Sequence, residues 1–265
     1  MKKLLKLFFS TLSYFLIFFA LCNNQIKAEL ISPGEELFYE VSFLGINLGS
    51  IKLVTEPDEV LNNQKVYKVK AYMTSYKGIP FIDLKSIFES WLDPSVTYSH
   101  QFISNNYVSN GWDYQKINFD YNKGNVTNQK WFQKKKYYDL TFNTKKKWND
   151  GLSLLFTARR FINLKQNIKI PTVMDRDTVI TTINFHGKKE KVEIEAVPYP
   201  VKTIHFFGKA DWTGIYGLSG NFEGWFSDDE AAIPIKAYMK VYVGNVLIEL
   251  KNWKRKNWNP PKANN

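Results

Sequence analysis

The stretch that decides the fold is Leu37-Phe-Tyr-Glu-Val-Ser-Phe-Leu-Gly-Ile-Asn-Leu-Gly-Ser-Ile-Lys-Leu-Val-Thr55. Residues 37, 39, 41 and 43 are apolar or aromatic and alternate with a second set of side chains, which is the period-two pattern of a half-buried strand. The segment Gly45 to Gly49 holds two glycines, and Ile51, Leu53 and Thr55 resume the alternation. The stretch therefore predicts an antiparallel β-hairpin.

The same alternation continues through most of the chain. It predicts further strands at 66–73, 87–92, 98–107, 112–121, 126–134, 168–172, 178–185, 191–197, 201–207, 221–226, 235–242 and 246–250. Asn122-Lys123-Gly124 and Gly244-Asn245 fall between such runs and predict hairpin turns. About fifteen antiparallel strands and one helix predict a mainly β protein, built as a large curved sheet or a partly closed barrel.

One segment has helical periodicity instead. Apolar side chains and one arginine recur three or four residues apart at Leu152, Leu155, Phe156, Arg159 and Ile162. Asp150 precedes them and suits an N-cap, because its carboxylate can accept hydrogen bonds from free amides of the first turn. We predict one helix at about 151–164. Its other face is also apolar, so the helix should be largely buried.

The first 28 residues have the features of a secretory signal peptide. Lys2, Lys3 and Lys6 precede an apolar run from Leu7 to Leu21, and Ala28 offers a cleavage site. The run is shorter than the ~20 residues that a membrane-spanning helix needs. We therefore expect cleavage, no transmembrane segment afterwards, and a location that is periplasmic or associated with the outer membrane.

The sole cysteine, Cys22, raises the alternative of lipidation at the end of the signal peptide. A bulky Leu21 stands where a lipidation site needs a small residue, so we expect Cys22 to be discarded with the signal. The remaining chain is predicted to form a single β-rich domain at 29–256. A disordered tail is predicted at 257–265, because it holds Pro260-Pro261 and terminal asparagines.

Charge and composition narrow the range of partners. The 265-residue chain has a formal charge of +11, and removal of a signal that holds four lysines and no acid leaves +7. This balance favours anionic surfaces such as lipopolysaccharide, acidic polysaccharide or phospholipid headgroups. Export makes nucleic acid an unexpected partner. Without a cysteine, the mature chain has no thiol chemistry.

The candidate chemical residues each have a structural interpretation that we favour. Ser227-Asp228-Asp229-Glu230 is the densest acidic cluster, but the flanking strands predict a turn and not a calcium site. His100, His186 and His205 lie far apart in sequence without metal-ligand spacing. Gly217-Leu-Ser219-Gly220 lacks the last glycine of a nucleophile elbow. We predict no catalytic residues, no cofactor and no metal, although a carboxylate pair of the glycosidase type cannot be recognised from sequence spacing.

Lysines occur in four runs, and tryptophans stand beside them. The runs are Lys134–Lys136, Lys145–Lys147, Lys188–Lys191 and Lys251–Lys256, and the neighbouring tryptophans are Trp131, Trp148, Trp253 and Trp258. The first two runs are close enough in sequence to predict one shared basic face. Lysine beside tryptophan suits a headgroup interface, whereas lysine alone also protects exposed sheet edges.

Four segments, in order, resemble one family. They are Gly34–Gly49 (G-E-x-L-x-Y-x-V followed by a G-x-x-x-G hairpin), Phe88–Pro94 (an aromatic strand ending in D-P), Asp150–Phe156 (D-P-L-S, with Gly151 replacing the proline) and Gly224–Ile235 (W-x-S-D-D-x-x-x-x-P). The chain thus resembles the bacterial family named domain of unknown function 3108. The resemblance implies an exported, mainly β protein of Gram-negative bacteria, and it supplies no catalytic residues.

Two hypotheses of function follow. In the first, the sheet forms a cup that binds a lipid or another apolar ligand, with the helix as its plug. In the second, the protein is a structural or scaffold component of the envelope, and its basic loops contact an anionic polymer or a protein partner. A continuous apolar cavity between helix and sheet would favour the first hypothesis, and a filled interior the second.

Overall fold

The computed structural model describes residues 29–79, 83–108, 111–210, 220–240 and 244–264. In these residues, sixteen strands form one antiparallel sheet and a single helix packs against it. The predicted mainly β fold with one buried helix is therefore confirmed. The signal peptide predicted at 1–28 lies outside the described residues.

The elements follow the chain in one long series. The strands are β1 (Glu36–Phe43), β2 (Ile46–Thr55), β3 (Glu59–Leu61), β4 (Gln64–Ser75), β5 (Lys85–Leu92), β6 (Ser99–Val108), β7 (Gly111–Asp120), β8 (Asn125–Phe132), β9 (Lys135–Asn143), β10 (Asn167–Met174), β11 (Asp177–Asn184), β12 (Lys189–Val192), β13 (Val201–Ala210), β14 (Gly220–Ser227), β15 (Pro234–Lys240) and β16 (Asn245–Lys254). Helix α1 (Ser153–Phe161) stands between β9 and β10. Within the described residues, no helix is long and apolar enough to span a membrane.

The sheet runs in the order β10-β11-β13-β14-β15-β16-β1-β2-β4-β5-β6-β7-β8-β9, with β3 beside β4 and β12 beside β13. Nearly all neighbours are consecutive along the chain, as hairpins require. The pairs β2–β4 and β11–β13 each skip one short strand. The pairing of β1 with β16 is the long-range exception, and it places the first and last strands side by side in the middle of the sheet. The sheet does not close, because β9 and β10 are its two edges.

Strong curvature nevertheless brings one edge onto the inner face. The turn after β10 inserts Asp175 against β7 and β8, where its carbonyl accepts hydrogen bonds from Gln115 at 3.1 Å and Asn128 at 2.5 Å. Lys130 binds the Asp175 carboxylate at 3.0 Å. The carbonyl of Trp148 accepts the amide of Ser99, and the next residue, Asn149, pairs with Thr172 of β10. These contacts hold β10 and the turn after it against β6, β7 and β8, although no continuous hydrogen-bond ladder joins them.

Helix α1 occupies the interior of the curl. Leu152 and Phe156 belong to the larger core cluster, which is formed mainly by β1 to β8 with β15 and β16. Ala158 and Ile162 belong to a second cluster with β10, β11, β13 and β14. The helix is therefore buried between the two halves of the sheet, as its two apolar faces predict. It spans 153–161, which is shorter at both ends than the predicted 151–164.

Two strands were missed because their sequences do not alternate cleanly. The nine residues of β9 are mostly exposed, as the strand forms an edge of the sheet. An edge strand needs few apolar side chains, so the signal for it is weak. The three-residue β3 is too short to establish a period.

The predicted disordered tail is wrong for the described residues 257–264. Trp258 is buried, and its indole donates to Asp229 at 2.8 Å. The amide of Lys202 donates to the carbonyl of Pro261 at 2.7 Å, and the amide of Ala263 donates to Pro200 at 2.9 Å. Proline cannot donate a hydrogen bond, but its carbonyl still accepts one. The tail therefore lies ordered along β13.

Two-residue hairpin turns with positive φ at both central residues carry very different side chains; Gln133 and Lys134, between β8 and β9, form one of them. Leu44 and Gly45 join β1 to β2 with φ of 50° and 80°, while Asn62 and Asn63 join β3 to β4 with φ of 51° and 62°. Both are two-residue turns, which favour Asn and Gly because both central residues need positive φ. Leu44 is therefore an unfavourable choice at its position, since Cβ crowds the backbone there.

We expect Leu44→Asn to raise the free energy of unfolding by about 0.5–1 kcal/mol, because asparagine tolerates the left-handed conformation better than leucine. The matched change Asn62→Leu should lower it by a similar amount. Urea unfolding followed by circular dichroism measures both. Equal stabilities for Leu44→Asn and the unaltered protein would contradict this account of the turn.

Candidate functional site

The interior holds a buried ion cluster beside helix α1. Arg159 is fully buried, and its Nη1 donates to Glu35 Oε1 at 3.0 Å. Arg255 binds the other carboxylate oxygen of Glu35. The Nη2 groups of Arg159 and Arg255 donate to the backbone carbonyls of Leu30, Ala231 and Glu29. The Nε of Arg159 is buried without a hydrogen-bond partner among the described residues. The cluster joins the helix to the segment before β1, to the β14–β15 turn and to the end of β16.

The sequence alone does not reveal this cluster, although the position of Arg159 gives a signal for a buried ion pair. Arg159 stood among apolar residues on the predicted buried face of the helix. A charge at such a position requires a buried partner, since an unpaired buried charge is costly. The partner, Glu35, is 124 residues distant in sequence, so no spacing rule could identify it.

A second polar cluster surrounds the carboxylate of Asp150. One of its oxygens accepts hydrogen bonds from the hydroxyls of Ser90, at 2.6 Å, and Ser99. The other accepts the amides of Leu152 and Ser153, both at 2.8 Å, and the Ser153 hydroxyl accepts the Asp150 amide in return. This is the reciprocal arrangement of a capping box. The carboxylate of Asp150 thus accepts amides at the start of the helix, as predicted, although the regular helix begins three residues later at Ser153, with Leu152 at the position before it.

Burial and hydrogen bonding act against each other on Asp150. Burial raises the pKa of its carboxyl group, the hydroxyl and amide donors lower it, and burial prevails so that the pKa lies above its ordinary value. All the partners of the carboxylate belong to the protein itself. Asp150 therefore serves to connect β5, β6 and the start of the helix.

The space between helix and sheet is filled in the described part of the chain. Phe156 of the helix is almost inaccessible to solvent. Phe206 stacks on Phe226 with ring centres 4.6 Å apart and contacts Phe185 at 6.2 Å. These side chains and the two core clusters occupy the volume that an apolar ligand would need in the cup hypothesis.

The acidic cluster forms the predicted turn, between β14 and β15. Oδ1 of Asp229 accepts hydrogen bonds from the hydroxyl of Ser227 and the amides of Ala231 and Ala232. Asp228 forms ion pairs with two lysines, Lys189 at 2.8 Å and Lys202 at 2.9 Å. Burial favours a raised pKa at Asp228, but the two lysines outweigh it and hold the pKa below its ordinary value.

Two of the three histidines meet, which their sequence positions did not predict. His186 Nε2 lies 3.1 Å from His205 Nδ1, and His205 Nε2 lies 3.3 Å from Glu223 Oε2. The amide of Lys188 donates to His186 Nδ1. Together these contacts form one directed chain of hydrogen bonds on the outer surface. His100 lies elsewhere, 3.2 Å from Asp93.

Neither histidine group assembles with enough further ligands to suggest a metal centre. Within the described ranges, no cluster of three or more His, Cys, Asp or Glu side chains is placed to hold an ion. Of the predicted flexible turn Gly217-Leu-Ser219-Gly220, residues 217–219 lie outside the described residues.

The first two lysine runs do not share a face, so that expectation is wrong. Lys134–Lys136 lies at the start of β9 and Lys145–Lys147 follows its end, which separates them by about 30 Å of extended chain. Lys147 is engaged between the rings of Tyr98 and Tyr121, with Nζ 4.4 and 3.8 Å from their centres. The first run lies on the edge strand β9, where lysines disfavour pairing with another chain.

At one end of the sheet, β1, β4, β6 and β8 end and β2, β5, β7 and β9 begin, and we call it the turn end. Next to it, aromatic and lysine side chains cover the outer face of β5 to β9. We name these residues the aromatic–lysine band: Lys85, Tyr107, Trp112, Tyr114, Trp131 and Lys136. They alternate with core-facing residues such as Ser86, Ser104 and Gln115.

The side chains of the band contact one another across neighbouring strands. Tyr107 meets Trp112 with ring centres 5.5 Å apart, and Tyr114 meets Trp131 at 5.3 Å. The ammonium groups of Lys85 and Lys136 lie 5.8 and 5.7 Å from Trp112 and Trp131 respectively, within cation–π distance. A largely apolar groove of about 680 Å³ opens to the outside between these rings. The band is the strongest candidate for a binding surface.

We expect Asp150→Ala to lower the free energy of unfolding by about 3 kcal/mol, because it leaves two buried hydroxyls and two helix amides without their acceptor. Asp150→Asn should cost less than half as much. Its carbonyl oxygen can still cap the helix, and its amide can donate to the hydroxyls. Chemical denaturation measures the free energy of unfolding of both variants. An equal loss of stability in the two would contradict the capping role of Asp150.

The ion cluster predicts an order of stabilities. Glu35→Gln should destabilise most, by about 4 kcal/mol, since it leaves two buried guanidinium groups without a carboxylate. Arg159→Met should cost about 3 kcal/mol, because Glu35 keeps Arg255. Arg160→Met is the matched control on the exposed side of the same helix and should change stability little. Thermal and urea unfolding would contradict this if Arg159→Met and Arg160→Met behaved alike.

Comparison with known proteins places the chain in a family. No curated protein matches its sequence. Among solved structures, it is similar to a β-barrel-like protein of domain of unknown function 1849 from Brucella abortus, with 10% identity, a TM-score of 0.55, and coverage of 84% of this chain and 98% of the other. A protein from Bacteroides fragilis, described as exported and YmcC-like in fold, aligns at 8% identity over 84% and 97% of the two chains, and its TM-score of 0.33 supports no conclusion.

The first similarity supports the β-barrel-like architecture and nothing about activity, since the identity is so low. The sequence itself is more specific. A family model for DUF3108, a protein of unknown function, matches residues 39–251, which include the β1–β2 hairpin, the capped helix and the β14–β15 turn. The chain therefore belongs to the DUF3108 family.

Proposed function

We propose that the protein is an exported, non-catalytic scaffold of the cell envelope that contacts an anionic partner through lysines at the turn end. The observation that carries the proposal is the contrast between the two sides of the sheet. The inner side is filled by helix α1 and packed aromatic rings, while the outer side presents the aromatic–lysine band. Export rests on the signal peptide predicted at 1–28.

The buried polar groups support a structural role. Asp150 and Glu35 resemble catalytic carboxylates in being buried, but their oxygens bind helix amides, hydroxyls and guanidinium groups. Both carboxylates are paired with donors of the protein, and buried polar networks of this kind make one conformation rigid and specific. Such groups hold the shape of the protein and present no reactive atom to a ligand.

Charge at the turn end supports an anionic partner. The exposed lysines there are Lys77, Lys85, Lys134, Lys135 and Lys136. The acids near them include Asp83, Asp113, Asp139 and Asp175. Asp139 pairs with Lys136 at 2.7 Å, and Lys130 pairs with both Asp113 and Asp175. The local charge is thus positive, in keeping with the formal charge of the whole chain. Opposite charge of this kind steers association and depends on ionic strength.

A pull-down from isolated envelope fractions, at low and high salt, tests the contact. We expect Lys134→Glu/Lys135→Glu to reduce retention at low salt at least tenfold, because two charge reversals remove favourable interactions of about 1 kcal/mol each and add repulsion. Lys145→Glu/Lys146→Glu is the matched control at the far end of β9 and should bind normally. Retention that is insensitive to salt and to both variants would contradict the proposal.

The competing apolar-ligand hypothesis has its own measurement. An apolar fluorophore titrated against the protein should show no saturable binding at an interior site, because packed side chains already occupy the space around Phe156. Native mass spectrometry should give the mass of the polypeptide alone. A stoichiometric co-purified lipid would favour the cup hypothesis over the scaffold.

A further inference from the structure

We infer that the turn end docks onto the surface of an anionic phospholipid bilayer. The inference rests on the proposed function, since it names the anionic partner of the same lysines. It assigns separate roles to two groups of residues. An apolar tip, formed by Leu44 and Ile46 of the β1–β2 hairpin, enters the boundary of the acyl region, and the aromatic–lysine band lies at the level of the headgroups.

The apolar tip is the first observation. Leu44 is 84% exposed and Ile46 is 59% exposed, although both are large aliphatic side chains. Leu44 also occupies a turn position whose positive φ disfavours leucine. A residue that is poorly suited both to its backbone and to water has no folding advantage at that place. Strain and exposure at one side chain point to a contact made outside the molecule.

A second hairpin of the same protein has the turn residues that Leu44 lacks. At the opposite end of the sheet, the β3–β4 hairpin has the same two-residue turn, and it carries Asn62 and Asn63, the residue type that the turn prefers. The fold therefore accepts favourable turn chemistry where the chain supplies it. At the turn end, the β8–β9 turn also lacks asparagine and glycine, but its Gln133 and Lys134 are polar, so the aliphatic side chain is particular to the β1–β2 turn.

The aromatic–lysine band is the second, independent observation. Tryptophan and tyrosine combine an apolar ring with a polar group, and they collect at membrane interfaces for that reason. Lysine can lay its aliphatic stem along apolar surface and keep its ammonium group among headgroup phosphates. Trp112 is 42% exposed at the mouth of the groove, and Lys85 and Lys136 flank the rings.

The order of residues on the outer face agrees with a bilayer surface. Residues paired across neighbouring strands form rows, and every second row faces outward. The two outward rows nearest the turns hold the band, and the second of them also contains Ile87 and Asn105. The next row away from the turns is mostly charged or polar: Lys70, Glu89, Ile103, Lys116, Gln129 and Asp139. Aromatic character therefore gives way to charge with distance from the turn end.

A bilayer explains both observations, whereas an acidic polysaccharide explains one. A charged polysaccharide would attract the lysines but would offer no apolar phase to Leu44 and Ile46. Exposed apolar side chains combined with lysines match an interface that is apolar below an anionic layer. Vesicle binding distinguishes a bilayer from a protein partner, because the vesicles contain lipid alone.

Vesicle co-sedimentation tests the inference with the mature chain. We expect binding to vesicles of phosphatidylglycerol and phosphatidylcholine, weakening with salt, and little binding to phosphatidylcholine alone. Leu44→Asn should lower the affinity for the anionic vesicles about tenfold, because a leucine no longer leaves water. The same variant should have a higher Tm than the unaltered protein, so weaker binding cannot be attributed to loss of folding.

Val60→Asn is the matched control, because Val60 is 73% exposed on the hairpin at the opposite end. It should bind vesicles as the unaltered protein does. Equal vesicle binding by the Leu44→Asn variant, or absence of binding to anionic vesicles, overturns the inference. If the salt-sensitive envelope pull-down persists in that event, the partner is a polymer or protein, and the scaffold proposal stands. If both are lost, the scaffold proposal fails as well.

Discussion

The structure depends on burying a helix inside a single curved sheet, and the carboxylate of Glu35 is the contact that makes this possible. Arg159 brings a positive charge from the helix into the core, where an unpaired charge would be very unfavourable. Glu35 neutralises it and also binds Arg255. The segment before β1, the helix and the end of β16 thus meet at one carboxylate. Because β1 and β16 are adjacent at the centre of the sheet, the cluster anchors the middle of the molecule.

The start of the helix is fixed in a similar way from the other half of the sheet. Asp150 binds hydroxyls of β5 and β6 with one oxygen and caps the helix with the other. Its neighbour Asn149 pairs with β10. The segment 148–150 therefore links β5 and β6 to β10, where the sheet has no continuous hydrogen-bond ladder. The sheet remains open in its pairing and yet tightly curled.

This construction has a consequence for function. An open cup could have been emptied to hold a ligand, but here the helix, two polar clusters and stacked phenylalanines use the interior. The contact surface that we propose lies outside, on the turn end. There the chain places leucine in a turn that favours asparagine and exposes tryptophan beside lysine. Local choices that oppose stability and solubility are most readily understood as a surface made for contact.

The alternating pattern of the chain was enough to predict a mainly β fold, most of the strands and the one buried helix, since period and side-chain polarity are local properties. It also indicated the cap at Asp150, because capping acts over three residues. The Arg159–Glu35–Arg255 cluster, the His186–His205 contact and the ordered tail at Trp258 came only from the tertiary structure. Each joins residues that are distant in sequence, and neither periodicity nor spacing carries information about which of them meet. The separation of the two lysine runs was decided by β9, an edge strand whose exposed residues leave almost no periodic signal.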